Sequence, residues 1–414
     1  MKRISIVKIL SLLLLLSLPF NVTHTFGQSV VKSMFRLPDT GQFTSFTATF
    51  GEDNDYTINP PAFMVNGDGT VTDTVTGLQW QQTDGGEMTV ENAALYCDSL
   101  TLGGYTDWRL PTPHEAFSIL NHQANNPALD TKVFTKTAAE YWWTNAKQVN
   151  DATKIWVTNA GGGIGNHPKA ETVSAGGTKK IHARAVRDVK APLTVPNHFT
   201  DNGDGTITDN LTNRQWQKIT PQNAMTWEES LMYAEGLTLA GASDWRLPNI
   251  KELQSMSDES QMSPSVQTSY FTTIGVKKYW SSTSNRNLTS SAWYLNTQFG
   301  ITSYDQKTVG NYVICVRSSD TPSTSVQEDS QYDTKVEISP NPAGSDVRLT
   351  IPQEFPDVGF VEIRNLLGEL LYSTKIDRNH RTIPINTENF DNGLYVVSLI
   401  GRSLRHTSTL IIYK

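Results

Sequence analysis

Two glycine-rich runs, residues 160–169 and 174–180, contain the residue types best suited to binding an anion. Glycine leaves backbone N–H groups accessible, and these groups bind sulfate, carboxylate or phosphate together with ammonium and imidazole groups. Glycine-rich loops on a rigid scaffold also commonly carry binding functions. We therefore predict a site for an anion or an anionic glycan at four residues: His167, Lys169, Lys179 and Lys180. The alternative is a mobile loop whose lysines are solvated.

An arginine and a glutamate recur at the same spacing, as Arg109 with Glu115 and as Arg246 with Glu252. Such a pair can serve catalysis, but no nucleophile with a fixed base stands beside either copy of it. The eight histidines are scattered, without the His-Glu-x-x-His spacing of a zinc site. We therefore predict ion pairs that fix the turn before a helix, and no catalytic residue, metal site or cofactor.

The acidic stretch from Asp201 through Asp204 to Asp209 could form a calcium loop. It lacks the spacing and the closing bidentate glutamate of an EF-hand loop. An earlier copy of the same stretch has Val65 in place of Asp201. Asp and Gly are also the residues that tight turns require, so the turn is favoured and calcium binding remains an open alternative.

These residues lie in a sequence that repeats itself over the length of a whole domain. The motifs Asn-Gly-Asp-Gly-Thr, Gln-Trp-Gln and Asp-Trp-Arg-Leu-Pro occur twice in the same order. Tyr141-Trp142 likewise matches Tyr279-Trp280. The spacing far exceeds that of a solenoid repeat, so each copy should close its own core. We predict copy one at residues 33–190 and copy two at residues 196–318.

Within each copy the pattern predicts a hairpin, two helices and a late antiparallel sheet, an α+β unit. Thr89 and Thr226 suit the start of the first helix, where Thr226 and Glu229 form a capping box. Thr112 and Asn249 suit the start of the second helix, with a glutamate at its third position.

The order of these motifs resembles the family called domain of unknown function 1566, related to the C-terminal domain of the Legionella collagen-like adhesin. This family looks similar to the C-type-lectin-like fold, which is shared with the formylglycine-generating enzymes. The resemblance implies two tandem lectin-like domains that serve surface adhesion, with an acidic or sulfated glycan as the partner. A formylglycine-generating type of enzyme would need a reactive cysteine pair in one site, and neither copy has two cysteines. A structural surface spacer without glycan binding remains the other alternative.

Cys97 and Cys315 lie in different copies. Cys97 is matched by Ala234 in copy two, and Cys315 by Ala185 in copy one, so each copy retains the opposite half of one helix-to-strand pair. A disulfide requires Cα atoms within about 7 Å. We therefore predict two buried free thiols, with a bridge between swapped elements as the lesser alternative.

The two ends of the chain carry export signals. Residues 1–27 have the basic start, apolar run and small-residue end of a secretory signal peptide. A polar linker at residues 319–335 precedes short alternating runs at residues 336–414, which predict an all-β sandwich. Ile338-Ser339-Pro340-Asn341-Pro342, Asp391-Asn392-Gly393-Leu394-Tyr395 and the terminal lysine resemble the C-terminal sorting domain of Bacteroidetes type IX secretion. This resemblance implies contact with the secretion machinery and a secreted, extracellular or outer-membrane-surface location.

The composition excludes some partners. The net charge is −7 and the chain has no long basic block, which argues against nucleic-acid binding. The apolar run near the N-terminus is too short for a stable anchor, and later segments contain no run long enough to span a bilayer.

Overall fold

The computed structural model describes residues 30–173, 180–318, 337–351, 358–365, 370–375, 381–401 and 405–414. The predicted signal peptide and the predicted linker therefore lie outside the described residues. The chain divides into two compact units, Met1–Thr321 and Pro322–Lys414. Strands account for 38% of the chain and helices for 10%, so the protein is mostly β.

A short ribbon joins the start of the described chain to the connection between the copies. Strand β1 (Val30–Lys32) pairs antiparallel with strand β10 (Leu193–Val195).

Copy one contains two four-stranded sheets and two helices. The elements are β2 (Phe63–Val65), β3 (Thr70–Asp73), β4 (Leu78–Gln81), α1 (Val90–Ser99), α2 (Pro113–Ser118), β5 (Ala139–Gln148), β6 (Asp151–Asn159), β7 (Ile164–Pro168), β8 (Lys180–His182) and β9 (Val186–Asp188). The first sheet has the order β2-β3-β4-β9 and the second has the order β7-β6-β5-β8. Strands β5 and β8 are parallel, so the late sheet of copy one is mixed rather than antiparallel as predicted.

Copy two repeats this plan with a smaller late sheet. Its elements are β11 (Phe199–Asp201), β12 (Thr206–Asp209), β13 (Arg214–Gln217), α3 (Trp227–Glu235), α4 (Ile250–Ser255), β14 (Lys278–Ser284), β15 (Ser291–Asn296), β16 (Ile301–Gln306) and β17 (Val316–Ser318). The orders are β11-β12-β13-β17 and β14-β15-β16, both antiparallel.

The helix starts follow the predicted capping chemistry. Thr112 and Asn249 cap α2 and α4, and each forms a capping box with the glutamate at the third helical position. Thr226 and Glu229 form the same box on α3. These caps satisfy backbone N–H groups that have no partner within the helix, which is why such short helices are stable here.

The predicted ion pairs are present. Arg109 donates to both oxygens of Glu115, at 2.7 and 2.9 Å, and Arg246 donates to both oxygens of Glu252, each at 2.6 Å. In copy two Arg214 adds a third hydrogen bond to Glu252 at 2.6 Å. Burial opposes ionisation of Glu252, but the two guanidinium groups lower its pKa to about 2.

Near the second sheet, the residue-by-residue alignment of copy one with copy two shifts by one position. Trp143 donates its indole N–H to the carbonyl of Met88 at 2.8 Å, and Trp280 donates to the carbonyl of Met225 at 3.0 Å. Trp143 therefore corresponds to Trp280, and the alignment of Trp142 with Trp280 predicted from sequence is wrong. The buried indole must reach the carbonyl just before the first helix, and this contact fixes the register.

The copies share part of their core instead of closing two fully separate ones. Ile250 and Trp293 of copy two belong to a buried cluster whose other members, among them Trp80 and Trp156, come from copy one. Three further clusters in the same unit each draw on a single copy. This sharing explains why both copies fall in one compact unit.

Residues 37–59, here called the N-terminal segment, contact copy two closely. Ser284 donates its hydroxyl to Glu52 at 2.5 Å, and Thr283 donates to Asp53 at 2.6 Å. Burial raises the pKa of Asp53 to about 7, against the effect of the hydrogen bond from Thr283. The boundary predicted for copy one assigns this segment to copy one alone, whereas these contacts tie it to copy two as well.

Lys251 connects the N-terminal segment to both copies. It lies at the start of α4, is 1% exposed, and donates to the carbonyl of Asp39 at 2.9 Å and to that of Ser118 at 2.6 Å. Burial lowers its pKa to about 8. One ammonium group thus joins copy two, the segment and the end of α2.

Both cysteines are free and buried, as predicted. Cys97 shares a cluster with Ala185, and Cys315 shares another with Ala234. Burial raises the pKa of Cys97 to about 12 and raises that of Cys315 further, so both thiols are protonated at neutral pH.

The C-terminal unit forms two antiparallel sheets. Its strands are β18 (Glu337–Ser339), β19 (Asp346–Thr350), β20 (Val358–Asn365), β21 (Leu370–Lys375), β22 (Thr382–Asn386), β23 (Gly393–Gly401) and β24 (Arg405–Ile412). The sheets have the orders β18-β19-β22 and β21-β20-β23-β24, and one apolar cluster takes residues from both. This arrangement is the sandwich that the alternating pattern predicts.

Candidate functional site

An open cleft of about 240 Å³ lies between the second sheets of the two copies. Copy one contributes residues from β5, from the β6–β7 hairpin and from the loop before β5, and copy two contributes residues from β15 and β16. The lining residues are Asn126, Glu140, Tyr141, Asn159, Gly161, Gly163, Trp293, Thr302, Ser303 and Tyr304. We call this feature the inter-copy cleft.

Backbone and aromatic contacts hold the walls of the inter-copy cleft together. The N–H of Ile164 donates to the hydroxyl of Thr302 at 2.9 Å, which joins β7 to β16. The rings of Trp293 and Tyr304 meet edge to face at 5.7 Å. Trp293 is 5% exposed and Tyr304 is 43% exposed, so a buried ring supports an accessible one.

Several polar groups in the cleft have no protein partner. Among the residues that the structure describes, the side chains of Asn126, Glu140, Ser303 and Tyr304 make no hydrogen bond or ion pair. Asn126 is exposed, and Glu140 and Ser303 are partly buried. An amide, a carboxylate and two hydroxyls are therefore available to a ligand beside an aromatic ring.

The first glycine-rich run forms the turn between β6 and β7. The side-chain oxygen of Asn159 accepts the backbone N–H groups of Gly161 at 2.9 Å and Gly163 at 3.1 Å. Gly162 has a φ of +100°, and a Cβ there would lie 3.3 Å from the ring of Trp293. The expectation that these glycines leave N–H groups free for an anion is therefore wrong in this turn, because oxygens of Asn159 accept the N–H groups of Gly161, Gly162 and Gly163.

The predicted site residues divide between the cleft edge and the surface near α1. His167 lies on β7, and its ring meets that of Tyr141, a cleft residue, at 4.8 Å. Partial burial lowers the pKa of His167. Lys179 lies outside the described residues.

The two described lysines of the predicted site pair with acidic residues. Lys169 lies 3.5 Å from Glu91, and Lys180 lies 2.9 Å from Glu87. Glu91 lies in the first turn of α1 and Glu87 lies just before that helix, so the local charge is largely balanced. The anion site at these positions stays a prediction.

A buried polar network in copy one went unnoticed in the sequence. The Nδ1 atom of His182 lies 2.7 Å from Asp84, and the carboxylate of Asp84 also accepts from Thr137 at 2.6 Å and from Trp142 at 3.1 Å. Burial opposes ionisation, yet the hydrogen bond from His182 and the charge of Arg184 lower the pKa of Asp84 to about 2. The sequence does not reveal this network, because its residues lie far apart in the chain. The visible sign is that copy two lacks the corresponding residues.

The carboxylates of the possible calcium loop are engaged in turns. Asp204 accepts from the backbone and hydroxyl of Thr206, at 3.0 and 2.6 Å. Asp209 accepts from the backbone N–H groups of Leu211 and Thr212. Within the described parts of the chain, no three His, Cys, Asp or Glu side chains are grouped to hold a metal.

Comparisons with known proteins agree with this architecture. The family model described as the Lcl C-terminal domain matches residues 69–187 and 205–317. The model described as the secretion system C-terminal sorting domain matches residues 337–413. No curated protein matches the chain. No helix in the described ranges is long and apolar enough to cross a bilayer.

The sorting domain marks a type IX secretion substrate that is exported to the cell surface or the extracellular space. The two matches to the first model correspond to copy one and copy two and together cover more than half of the chain. The protein therefore belongs to the Lcl C-terminal domain family, with two tandem copies of that domain followed by a type IX sorting domain.

Proposed function

We propose that this secreted protein is a non-catalytic adhesion protein that binds carbohydrate in the inter-copy cleft. The observation that carries the proposal is the accessible ring of Tyr304 beside unpaired amide, hydroxyl and carboxylate groups. Sugar rings present C–H groups to aromatic faces and hydroxyls to polar side chains. A pocket with aromatic walls and a few polar groups suits such a ligand.

The charge of the cleft favours a neutral glycan there. Glu140 is the one charged side chain among the lining residues, and an acidic sugar would meet its carboxylate. An acidic or sulfated glycan would instead have to displace glutamates from Lys169 and Lys180. We keep that partner as a second hypothesis with its own test.

The state of the cysteines supports a non-catalytic role. Cys97 and Cys315 lie in separate buried clusters, so a formylglycine-generating type of site would lack its cysteine pair. We also propose that each copy has a C-type-lectin-like fold. Two short helices followed by a small sheet, with the last strand returning beside the first hairpin, support this assignment.

A glycan array probed with the full chain tests the proposal. Tyr304→Ala should lower binding at least about tenfold because it removes the stacking surface. Tyr105→Ala is the matched control, since Tyr105 is also 43% exposed but lies outside the cleft, and it should bind normally.

Two outcomes contradict the cleft assignment: no glycan retained by the wild-type chain, or equal binding by the Tyr304 variant. The first outcome is also what a structural spacer predicts. A heparin column tests the acidic partner, where Lys169→Ala with Lys180→Ala should reduce retention at low salt.

A further inference from the structure

A second cavity, of about 310 Å³, lies where the start of the described chain meets both copies. Its walls come from residues 31–37, from the start of α2 and residues 145–146 of β5 in copy one, and from the β12–β13 turn, the end of α4 and Glu259 in copy two. The volume falls at the lower end of the range of small-molecule pockets, which often form where domains meet. We call it the junction cavity.

Most of the junction cavity has apolar walls. The apolar lining residues are Val31, Met34, Leu37, Pro113, Ala146 and Leu211. His114 and Glu259 also line it, and the Nε2 atom of His114 lies 3.2 Å from a carboxylate oxygen of Glu259. This surface suits a hydrocarbon body.

Lys32 supplies a buried positive charge to the junction cavity. It is 8% exposed, and its backbone is fixed by pairing with Leu193 in the β1–β10 ribbon. In the part of the chain that the structure describes, its ammonium group has no hydrogen-bond or ion-pair partner. Burial lowers the pKa of Lys32.

The nearby carboxylate of Asp209 attracts the ammonium group of Lys32, but among the described residues it makes no direct ion pair with that group. It already accepts hydrogen bonds from the backbone N–H groups of Leu211 and Thr212, at 2.9 and 3.1 Å, and from the hydroxyl of Thr212 at 2.7 Å. An ammonium group has three N–H donors, and in the junction cavity they can donate to a bound carboxylate.

We propose that the junction cavity binds a small monocarboxylate with an apolar body, and that Lys32 is its counter-ion. The carboxylate accepts hydrogen bonds from the ammonium group, while the apolar part displaces water from the surrounding walls. This site is separate from the inter-copy cleft and does not depend on the proposed glycan binding.

Isothermal titration calorimetry of the full chain with octanoate tests the proposal. Octanoate should bind at one site, and octylamine, which has the same chain with the opposite charge, should bind at least about tenfold more weakly. Lys32→Met should lower octanoate affinity at least about tenfold. Lys132→Met, which removes an exposed lysine that does not line the cavity, should leave it unchanged.

A second variant keeps the test decisive if Lys32→Met does not fold. Ala146→Phe fills the cavity and keeps Lys32, so it should abolish octanoate binding without removing the charge. The proposal is overturned if the wild-type chain does not bind octanoate, if octylamine binds equally well, or if both variants bind like the wild type. In those cases the cavity holds water alone or a ligand of another class.

Discussion

Replacing Glu252 by Gln should destabilise the repeat unit strongly, because it leaves two buried guanidinium groups without their carboxylate. The side chains of Arg214 and Arg246 are 3% and 5% exposed, and that of Glu252 is 1% exposed. Glutamine can accept one of these hydrogen bonds but carries no charge. Removing one partner of a buried ion pair typically costs about 3–5 kcal/mol.

The pKa of Glu252 gives a second measure of the same interaction. The pKa falls from 4.5 to about 2 on folding. That difference corresponds to roughly 3 kcal/mol of stability at neutral pH, at about 1.4 kcal/mol per pKa unit. Since the folded pKa is depressed, this stability is present above pH 4.5 and is lost as the pH falls toward 2. Glu252→Gln should remove this acid-sensitive component.

Copy one provides the matched control, Glu115→Gln. Its partner Arg109 is 34% exposed and has a second carboxylate, Asp188, at 3.2 Å. Solvent and Asp188 therefore compensate part of the loss, and the expected cost is about 1 kcal/mol.

Urea unfolding followed by tryptophan fluorescence measures both variants. All ten tryptophans lie between residues 80 and 293, so the signal reports the unit formed by the copies and not the sorting domain. Equal costs for the two variants, or an unchanged acid profile in Glu252→Gln, would refute the reasoning.

Three further changes test other parts of the structure. Burial raises the pKa of Asp53 from 3.8 to about 7, so docking of the N-terminal segment should weaken as the pH rises from about 4 to about 7. Hydrogen exchange should detect this weakening in the wild type but not in Asp53→Asn. Ala234→Cys should form a disulfide with Cys315, which belongs to the same buried cluster, and leave Cys97 as the single free thiol; three free thiols after oxidation would contradict this. Lys251→Ala leaves two buried carbonyls unpaired and should cost about 2–4 kcal/mol in urea unfolding. His114→Ala, at the matching and more exposed position of copy one, should cost less than about 1 kcal/mol.

Local features were predictable because their partners lie close together in the chain. Thr112 and Asn249 start helices since the residue three positions on completes the cap. Arg246 reaches Glu252 across a single turn, so its ion pair follows from spacing. The free cysteines followed from comparing the two copies position by position.

Features that depend on distant residues were not predictable. The indole contact that pairs Trp143 with Trp280 is set by packing beneath the first helix, and two adjacent tryptophans in copy one hid it. The glycines near Asn159 looked free because the wall that they pack against, Trp293, belongs to the other copy.

The amino-acid sequence by itself determined the duplication, the helix caps, the turn ion pairs and the sorting domain, because each is encoded by residue types at short or repeated spacings. Only the tertiary structure decided that the copies share a core and that residues 37–59 contact both copies. It also decided that Tyr304 and Lys32 each line a cavity. These arrangements arise when apolar faces from separate parts of the chain are buried together. Burial of that kind is non-directional, so no local pattern records which faces will meet.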